Sequence, residues 1–204
     1  MIISNIDVTN LELVKSRLGS LKDRAPIALY RAINNSVAKT KTETKKAISE
    51  RYHIAQKNVA PHIYSFKANK SNLKGAIVTR GEKISLYKFK IKEGKIISAA
   101  VLKQNSPKPL THDPKAFIAT MKNGHTGIFE RKIPGEKDVK KRKKMPEGKG
   151  GAVTKHNVQI REKDGPAIPQ MMGREETMER IRTAANETLQ RRLEHHINYL
   201  LEKG

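Results

Sequence analysis

The seven histidines are the residues of this chain best suited to catalysis or metal binding. A basic protein that cleaves DNA would need such a metal ion or a general base. His195 and His196 are adjacent, so on a helix they point in different directions, and no two histidines have His-x-x-x-His spacing. His112 and Asp113 form an isolated dipeptide in a proline-containing stretch. These spacings predict no metal site.

Other sequence signatures of enzymes are also missing. The chain has no cysteine, which excludes a thiolate nucleophile, a disulfide framework and a cysteine-based zinc site. His125 and Thr126 lie between Gly124 and Gly127, where the geometry of a hairpin explains them better than catalysis does. Neither a Walker motif nor a dinucleotide-binding glycine pattern is present. We therefore expect no enzymatic activity, no catalytic residue and no cofactor.

Positive charge is the strongest signal in the composition. The 204 residues include 42 Lys and Arg against 20 Asp and Glu, a formal net charge of +22. Residues 51 to 160 contain 25 basic and 7 acidic residues, whereas residues 161 to 204 contain 8 of each. Charge of this size repels itself in a compact state, so the middle of the chain is expected to face a polyanion or an acidic protein surface. The alternative is a solvated basic surface without a specific partner.

The densest basic run lies in a predicted loop, residues 134 to 155, where proline and glycine are frequent. Its five consecutive basic residues are Lys140, Lys141, Arg142, Lys143 and Lys144. We predict that they contact phosphate groups or an acidic neighbour through charge, without reading bases. The alternative is that they are solvated on the outside of the protein.

The first sixty residues have the periodicity of helices. Thr9 to Glu12 has the form of a capping box, and apolar residues then recur at helical spacing. The pattern from Asp23 to about Tyr52 predicts one long helix, followed by a short helical piece. We expect helices over about residues 9 to 59.

The apolar period then changes from helical spacing to the alternation of strands. Short alternating runs predict a strand-rich region over residues 62 to 133. Within it, Asn123-Gly124 separates two such runs. Because this dipeptide readily adopts positive φ, it predicts a hairpin closed by a tight primed turn.

The end of the chain is predicted to be a helix, over about residues 173 to 201. Its apolar stripe consists of Met178, Ile181, Ala185, Leu189, Leu193, Ile197 and Leu200. We expect this stripe to pack on the chain's own sheet, and a partner helix is the alternative.

Together the elements predict one α+β domain over residues 1 to 204. In it a mixed or antiparallel sheet packs against the long N-terminal helix and the C-terminal helix. No run approaches the roughly 18 apolar residues of a membrane helix, and the first residues lack the pattern of a signal peptide. We therefore expect synthesis in the cytoplasm and no contact with a membrane.

Three segments, in their order and spacing, resemble the prophage minor tail protein Z family. The first begins at Arg31-Ala32-Ile33-Asn34 and continues to Val59; the second is AFIATMKNGHTGIFER, residues 116 to 131; the third is IREKDGPAIPQMMG, residues 160 to 173. The stretch from Lys67 to Pro114 does not match the family. The positions that carry the resemblance are Asn34, Phe117, Asn123, Gly124, Gly127, Arg131, Gly165, Pro166 and Pro169.

This resemblance implies a structural protein that completes a bacteriophage tail at its head-proximal end, in the neck where head and tail join. It implies a homo-oligomer, a hexameric ring around the DNA path, with the tail terminator and the connector as neighbours and non-specific contact with genomic DNA in the lumen. The protein would then be part of the virion, assembled in the host cytoplasm.

The competing interpretation is a basic RNA- or DNA-binding protein of the ribosomal or nucleoid type, which would have the same charge. Aromatic residues make up only 4% of the chain, and no stacking pattern of the RNP type is present in the sequence. Sequence-specific reading of bases is therefore not expected, whereas salt-dependent contact with a phosphate backbone is compatible with the composition.

Overall fold

A computed structural model describes residues 2–7, 11–110, 116–131 and 160–203. The chain divides into two compact units, one formed by Met1–Ile84 and Pro166–Gly204 and the other by Ser85–Gly165. The single domain expected from the sequence stays a prediction, which the number of cooperative unfolding transitions would test. The α+β class is confirmed, and six of the described strand pairs are antiparallel.

The first unit contains the long helices and one three-stranded sheet. In chain order its elements are β1 (Ile2–Asp7), α1 (Leu11–Leu18), a 3-10 turn (Gly19–Arg24), α2 (Ala25–Arg51), α3 (Gln56–Val59), a 3-10 turn (Ala60–His62), β2 (Ile63–Phe66), β3 (Lys74–Thr79), α4 (Ile168–Met172) and α5 (Glu175–Lys203). The predicted capping box begins at Thr9, outside the described residues. The long helix begins at Ala25, where Pro26 is tolerated because first-turn amides need no partner within the helix.

Helix α2 is the centre of this unit, because it packs on the sheet and on α5. The sheet has the order β1-β3-β2. A Cβ atom on Gly75 of β3 would lie 2.6 Å from Val37 Cγ2 and 2.8 Å from Ile33 Cγ2, so the glycine allows α2 to approach the strand closely. On α2, the Ser36 hydroxyl donates a 2.7 Å hydrogen bond to the carbonyl of Ala185 in α5.

The apolar stripe of α5 packs against α2, and not directly against the sheet as the sequence suggested. Near the end of α5, Ile197 and Leu200 join a buried cluster with residues of α1 and α2. The remaining buried members of that cluster are Val14, Leu18, Ala25, Ala28 and Leu29. The stripe is therefore buried or half-buried inside its own chain, as predicted, but mainly by a helix.

The second unit consists of short strands. They are β5 (Lys90–Lys92), β6 (Ser98–Ala100), β7 (Lys108–Pro109), β8 (Phe117–Thr120), β9 (Thr126–Arg131) and β10 (Ile160–Glu162), preceded by a 3-10 turn (Leu86–Lys88). Strands β5, β6 and β7 form one antiparallel sheet, and β10, β9 and β8 form another in that order. The boundary between the units falls inside β4 (Lys83–Ser85) and inside β11 (Asp164–Ala167), which pair with each other.

The predicted hairpin is present as β8 and β9, but its turn is not a two-residue primed turn. The Met121 amide donates to the His125 carbonyl at 2.8 Å, and the Gly124 amide donates to the Met121 carbonyl at 2.9 Å. Gly124 has a φ of 80°, and no described non-glycine residue has a positive φ. The connection is therefore a three-residue loop in which only the glycine is left-handed, a common hairpin geometry. The Asn123 side chain stabilises it by accepting a 3.0 Å hydrogen bond from the His125 amide.

Candidate functional site

The sheet of β8, β9 and β10, here called the anchor sheet, holds both ends of the most basic part of the chain. Strands β9 and β10 are antiparallel, with Arg131 paired to Ile160. Between them lie residues 132 to 159, here called the basic segment, which carries nine Lys and Arg against three Asp and Glu. The basic segment, including Lys140 to Lys144, lies outside the described residues. The residues that flank it, Arg131 and Ile160, are nevertheless paired in one sheet.

A buried carboxylate joins the two strands beside these ends. Glu130 in β9 is 5% exposed and is directly opposite Arg161 of β10 in the register. Its carboxylate forms ion pairs with Arg161 and with Lys163, which follows β10. Burial acts to raise the pKa of Glu130, but the hydrogen bonds from Lys163 and Arg161 outweigh it, and the pKa lies below its ordinary value. The carboxylate is therefore ionised at neutral pH and attracts one cation of the neighbouring strand and a second cation that directly follows it.

A second side-chain contact across the anchor sheet explains why position 127 is a glycine. His125 Nε2 lies 2.9 Å from both carboxylate oxygens of Glu162 in β10. To reach the histidine, the Glu162 side chain passes over Gly127, where a Cβ atom would lie 2.4 Å from Glu162 Oε1. A residue with a side chain at position 127 would displace the carboxylate. His125 therefore has a structural contact, consistent with the hairpin explanation of this motif.

Aromatic contacts hold β8 to β9 on the same sheet. The Phe117 and Phe129 rings are 6.3 Å apart between centroids, and the two residues are directly opposite in the register. The Arg131 guanidinium lies 5.9 Å from the centroid of the Phe117 ring, within the range of a cation–π contact. The last residue before the basic segment is thus held by its neighbour on β8.

The remaining positions of the resemblance have separate structural roles. The Asn34 side chain on α2 donates to the Ala68 carbonyl at 3.0 Å and accepts from the Ala68 amide at 2.8 Å, which satisfies both backbone polar groups of this buried residue after β2. A Cβ atom on Gly165 would lie 2.6 Å from the Phe89 ring. Pro166 is half-buried in β11, and Pro169 is buried in the first turn of α4. The hairpin positions 117, 123, 124, 127 and 131 lie together in one β-hairpin.

The ion-pairing residues of the anchor sheet were not among the sites predicted from the sequence. Arg161, Glu162 and Lys163 are consecutive charged residues, and Glu130 is separated from Arg161 by 31 positions. The only local signal is an acidic residue at position 130, directly after the apolar pair Ile128-Phe129 of β9. That signal indicates an ion pair but does not identify the partner.

The described residues show no arrangement that would bind a metal ion. Within residues 2–7, 11–110, 116–131 and 160–203, no three His, Cys, Asp or Glu side chains come together as a metal-binding group. Among the helices in these same ranges, none is both long enough and apolar enough to span a membrane. The anchor sheet can position a cationic segment, and its charged residues are engaged in contacts between strands.

The fold is that of an α+β protein, and its anchor sheet pairs the two residues that flank a long basic stretch of the sequence. Comparison with models of known families, with curated proteins and with solved structures finds no match to this chain.

Proposed function

We propose that this chain is a structural, non-enzymatic minor tail protein of a bacteriophage or prophage. It completes the tail at the head-proximal end, as one subunit of a ring around the DNA path. The proposal rests on the three-segment resemblance and on the positive charge in the middle of the chain. The resemblance supplies the sixfold copy number, and the tail terminator and connector are the proposed neighbours.

The observation that best supports this function is the attachment of the basic segment to the anchor sheet. Because Arg131 and Ile160 are paired, the segment leaves and re-enters the fold at one place. The buried Glu130 and its two cations stabilise that place. A ring would repeat this arrangement around its axis, so that several basic segments face the same lumen. Duplex DNA carries about one negative charge per 1.7 Å of axis, so such a ring would attract it without reading its sequence.

The direct test replaces Lys140, Lys141, Arg142, Lys143 and Lys144 with Gln in the phage genome. We expect particles in which head joining, genome retention or ejection is impaired, because the charge that meets the phosphates or an acidic neighbour is lost. A matched variant replaces five exposed lysines dispersed over the described residues: Lys22, Lys57, Lys88, Lys95 and Lys103. It loses the same net charge and should retain near-normal infectivity. Infectivity and packaged DNA are measured for both variants over a range of salt concentrations.

Two outcomes would contradict the assignment. If the variant of residues 140 to 144 is fully infectious at every salt concentration, the run is only a solubilising surface. If both variants are impaired equally, net charge alone matters and the basic segment has no special role.

The nucleic-acid-binding alternative is distinguished by deleting the coding region from the prophage. The tail function predicts heads and tails that do not join, with normal host translation. A translation or nucleoid defect together with normal particles would favour the alternative.

A further inference from the structure

The hairpin of β2 and β3 exposes two aromatic rings on one face of its sheet. Side chains alternate between the two faces of a strand. Gly75 lies against Val37 and Ile33 of α2, so the residues of β3 in phase with Gly75 face that helix. Tyr64 and Phe66 pair in register with Val78 and Ala76, which have the opposite phase. The two rings therefore face away from α2, and they are 50% and 53% exposed.

The position of β2 in the sheet leaves these rings accessible. The strand order is β1-β3-β2, so β2 is an edge strand of this sheet. Tyr64 and Phe66 are two positions apart, which separates their Cα atoms by about 7 Å along the strand. Isolated exposed apolar residues are common on protein surfaces. Two large, half-exposed rings on the same face of an edge strand offer aromatic surfaces that planar ligands could contact.

Basic residues lie at both ends of this pair of rings. Arg80 follows β3, and its amide donates a 3.0 Å hydrogen bond to the His62 carbonyl, which places the arginine beside the start of β2. At the other end, Lys67 and Lys70 are exposed in the connection between the strands, and Lys74 is exposed at the start of β3. The aromatic face is defined here as Tyr64 and Phe66 with Lys67, Lys70, Lys74 and Arg80.

We propose that the aromatic face binds single-stranded nucleic acid. Bases stack on Tyr64 and Phe66, and phosphates interact with the basic residues at the two ends. Proteins that bind single strands combine these two features, because every base has a flat face and every nucleotide has a charge. Duplex DNA does not offer such base faces, since its bases already stack on each other. The proposal is independent of the tail function, because neither ring belongs to the anchor sheet.

Charge decides between a nucleic acid and a second copy of this chain as the occupant. In a twofold-symmetric dimer through this face, the same patch would meet itself. The basic residues at its ends would then approach the like charges of the partner, on a chain that already carries +22. A polyanion is attracted by the same residues. The surface therefore complements a nucleic acid better than it complements itself.

The test measures binding of the full chain to a labelled oligothymidine, an oligouridine and a duplex of the same length by fluorescence anisotropy. Replacing both rings, Tyr64→Ala with Phe66→Ala, should weaken single-strand binding at least about tenfold, since each stacked base contributes substantially to affinity. Duplex binding should change less than about twofold, because it depends on phosphate contacts alone. The control is Tyr199→Ala, which removes a ring that is 42% exposed on α5 and should leave both affinities unchanged. Tyr64→Phe keeps the ring and should keep the binding.

A second readout reports stacking directly, and it uses variants that preserve an aromatic ring. The chain contains no tryptophan, so Tyr64→Trp introduces a single indole whose emission is observed alone. Oligothymidine should quench this emission, and it should not quench that of Tyr199→Trp. Unquenched Tyr64→Trp emission at saturating oligothymidine, or equal single-strand affinity for the wild type and the double alanine variant, would overturn the proposal. Concentration-dependent dimerisation of the wild type that the double variant abolishes would overturn it too, because a second copy would then occupy the face.

Discussion

Glu130 gives the sharpest test of how the anchor sheet is stabilised. Glu130→Gln keeps the shape of the side chain but removes the charge that pairs with Arg161 and Lys163. Removing one partner of a fully buried ion pair costs about 3–5 kcal/mol, because the other charge is left buried. Here the side chains of Arg161 and Lys163 are 51% and 24% exposed, so water can solvate both after the change. We therefore expect a smaller loss, of about 2 kcal/mol, close to that of a hydrogen bond to a charged group.

The pH dependence of this loss follows from the lowered pKa of Glu130. A carboxyl group with a lower pKa in the folded state than in the unfolded state stabilises the fold above its unfolded pKa, about 4.3. That stabilisation disappears as the pH falls through the lower, folded pKa. The difference in unfolding free energy between the wild type and Glu130→Gln should therefore be largest at about pH 7 and should decrease progressively as the pH becomes acidic.

Amide hydrogen exchange is the assay, because it reports on the anchor sheet itself. Exchange of the β9 and β10 amides should be faster in Glu130→Gln at neutral pH, by about the factor that 2 kcal/mol implies, roughly thirtyfold. Glu93→Gln, at an exposed position of the same unit, is the control and should change exchange little. Unchanged protection in Glu130→Gln at neutral pH would refute the reasoning, as would an equal loss of protection at every pH.

Three further substitutions test other parts of the structure by urea unfolding. Asn34→Ala leaves the backbone amide and carbonyl of Ala68 without their side-chain partner and should cost about 1–3 kcal/mol. A loss below about 0.5 kcal/mol would mean that water replaces the Asn34 side chain. Gly127→Ala places a methyl group against a carboxylate oxygen of Glu162 and should cost about 1–3 kcal/mol. The control is Gly94→Ala, which should cost under about 1 kcal/mol because the nearest atom to the added methyl group is 3.8 Å away. Burial is the main cause that lowers the pKa of His196, and nearby positive charges add to it, so the free energy of unfolding should fall as the pH drops below about 6.5. His196→Asn should reduce this pH dependence, and an equal change of unfolding free energy with pH in the two proteins would count against it.

Local features of the fold were predictable from the sequence where the signal lies within a few residues. Asn123-Gly124 predicted the hairpin correctly, and the glycine has the expected positive φ. The turn type was wrong because the prediction considered only backbone preferences. The Asn123 side chain accepts a hydrogen bond from the His125 amide, and this contact is compatible with a three-residue loop in which the asparagine keeps a negative φ.

Contacts between distant segments were not predictable in the same way. Periodicity shows that one stripe of α5 is buried, but not which surface buries it. The α2 surface that receives α5 includes Ser36, which hydrogen bonds to the Ala185 carbonyl, so an apolar pattern does not reveal it. The ion pairs of Glu130 form because β9 pairs with β10, and residues 132 to 159 separate these two strands in the sequence. Composition identified that segment as basic, but only the register of β9 and β10 shows that its ends are adjacent.

The aromatic face was missed for a related reason. The low aromatic content argued against base stacking, yet stacking requires only a few rings on one exposed surface. Alternation in the sequence places Tyr64 and Phe66 on the same face of a strand, but it does not indicate whether that face is turned to the core or to the solvent. The position of Gly75 against α2 shows that the two rings lie on the face turned away from that helix, and their exposed fractions of 50% and 53% show that solvent reaches them.

The central claim, a tail protein at the head-proximal end, is tested most directly by locating the protein on virions. Particles from an induced prophage would be labelled with a gold-conjugated antibody raised against this chain and imaged by electron microscopy, with particles from a strain that lacks the coding region as the control. We predict gold at the junction of head and tail on the wild-type particles alone. Label at the tail tip, or intact wild-type particles without label above the control, would contradict the claim.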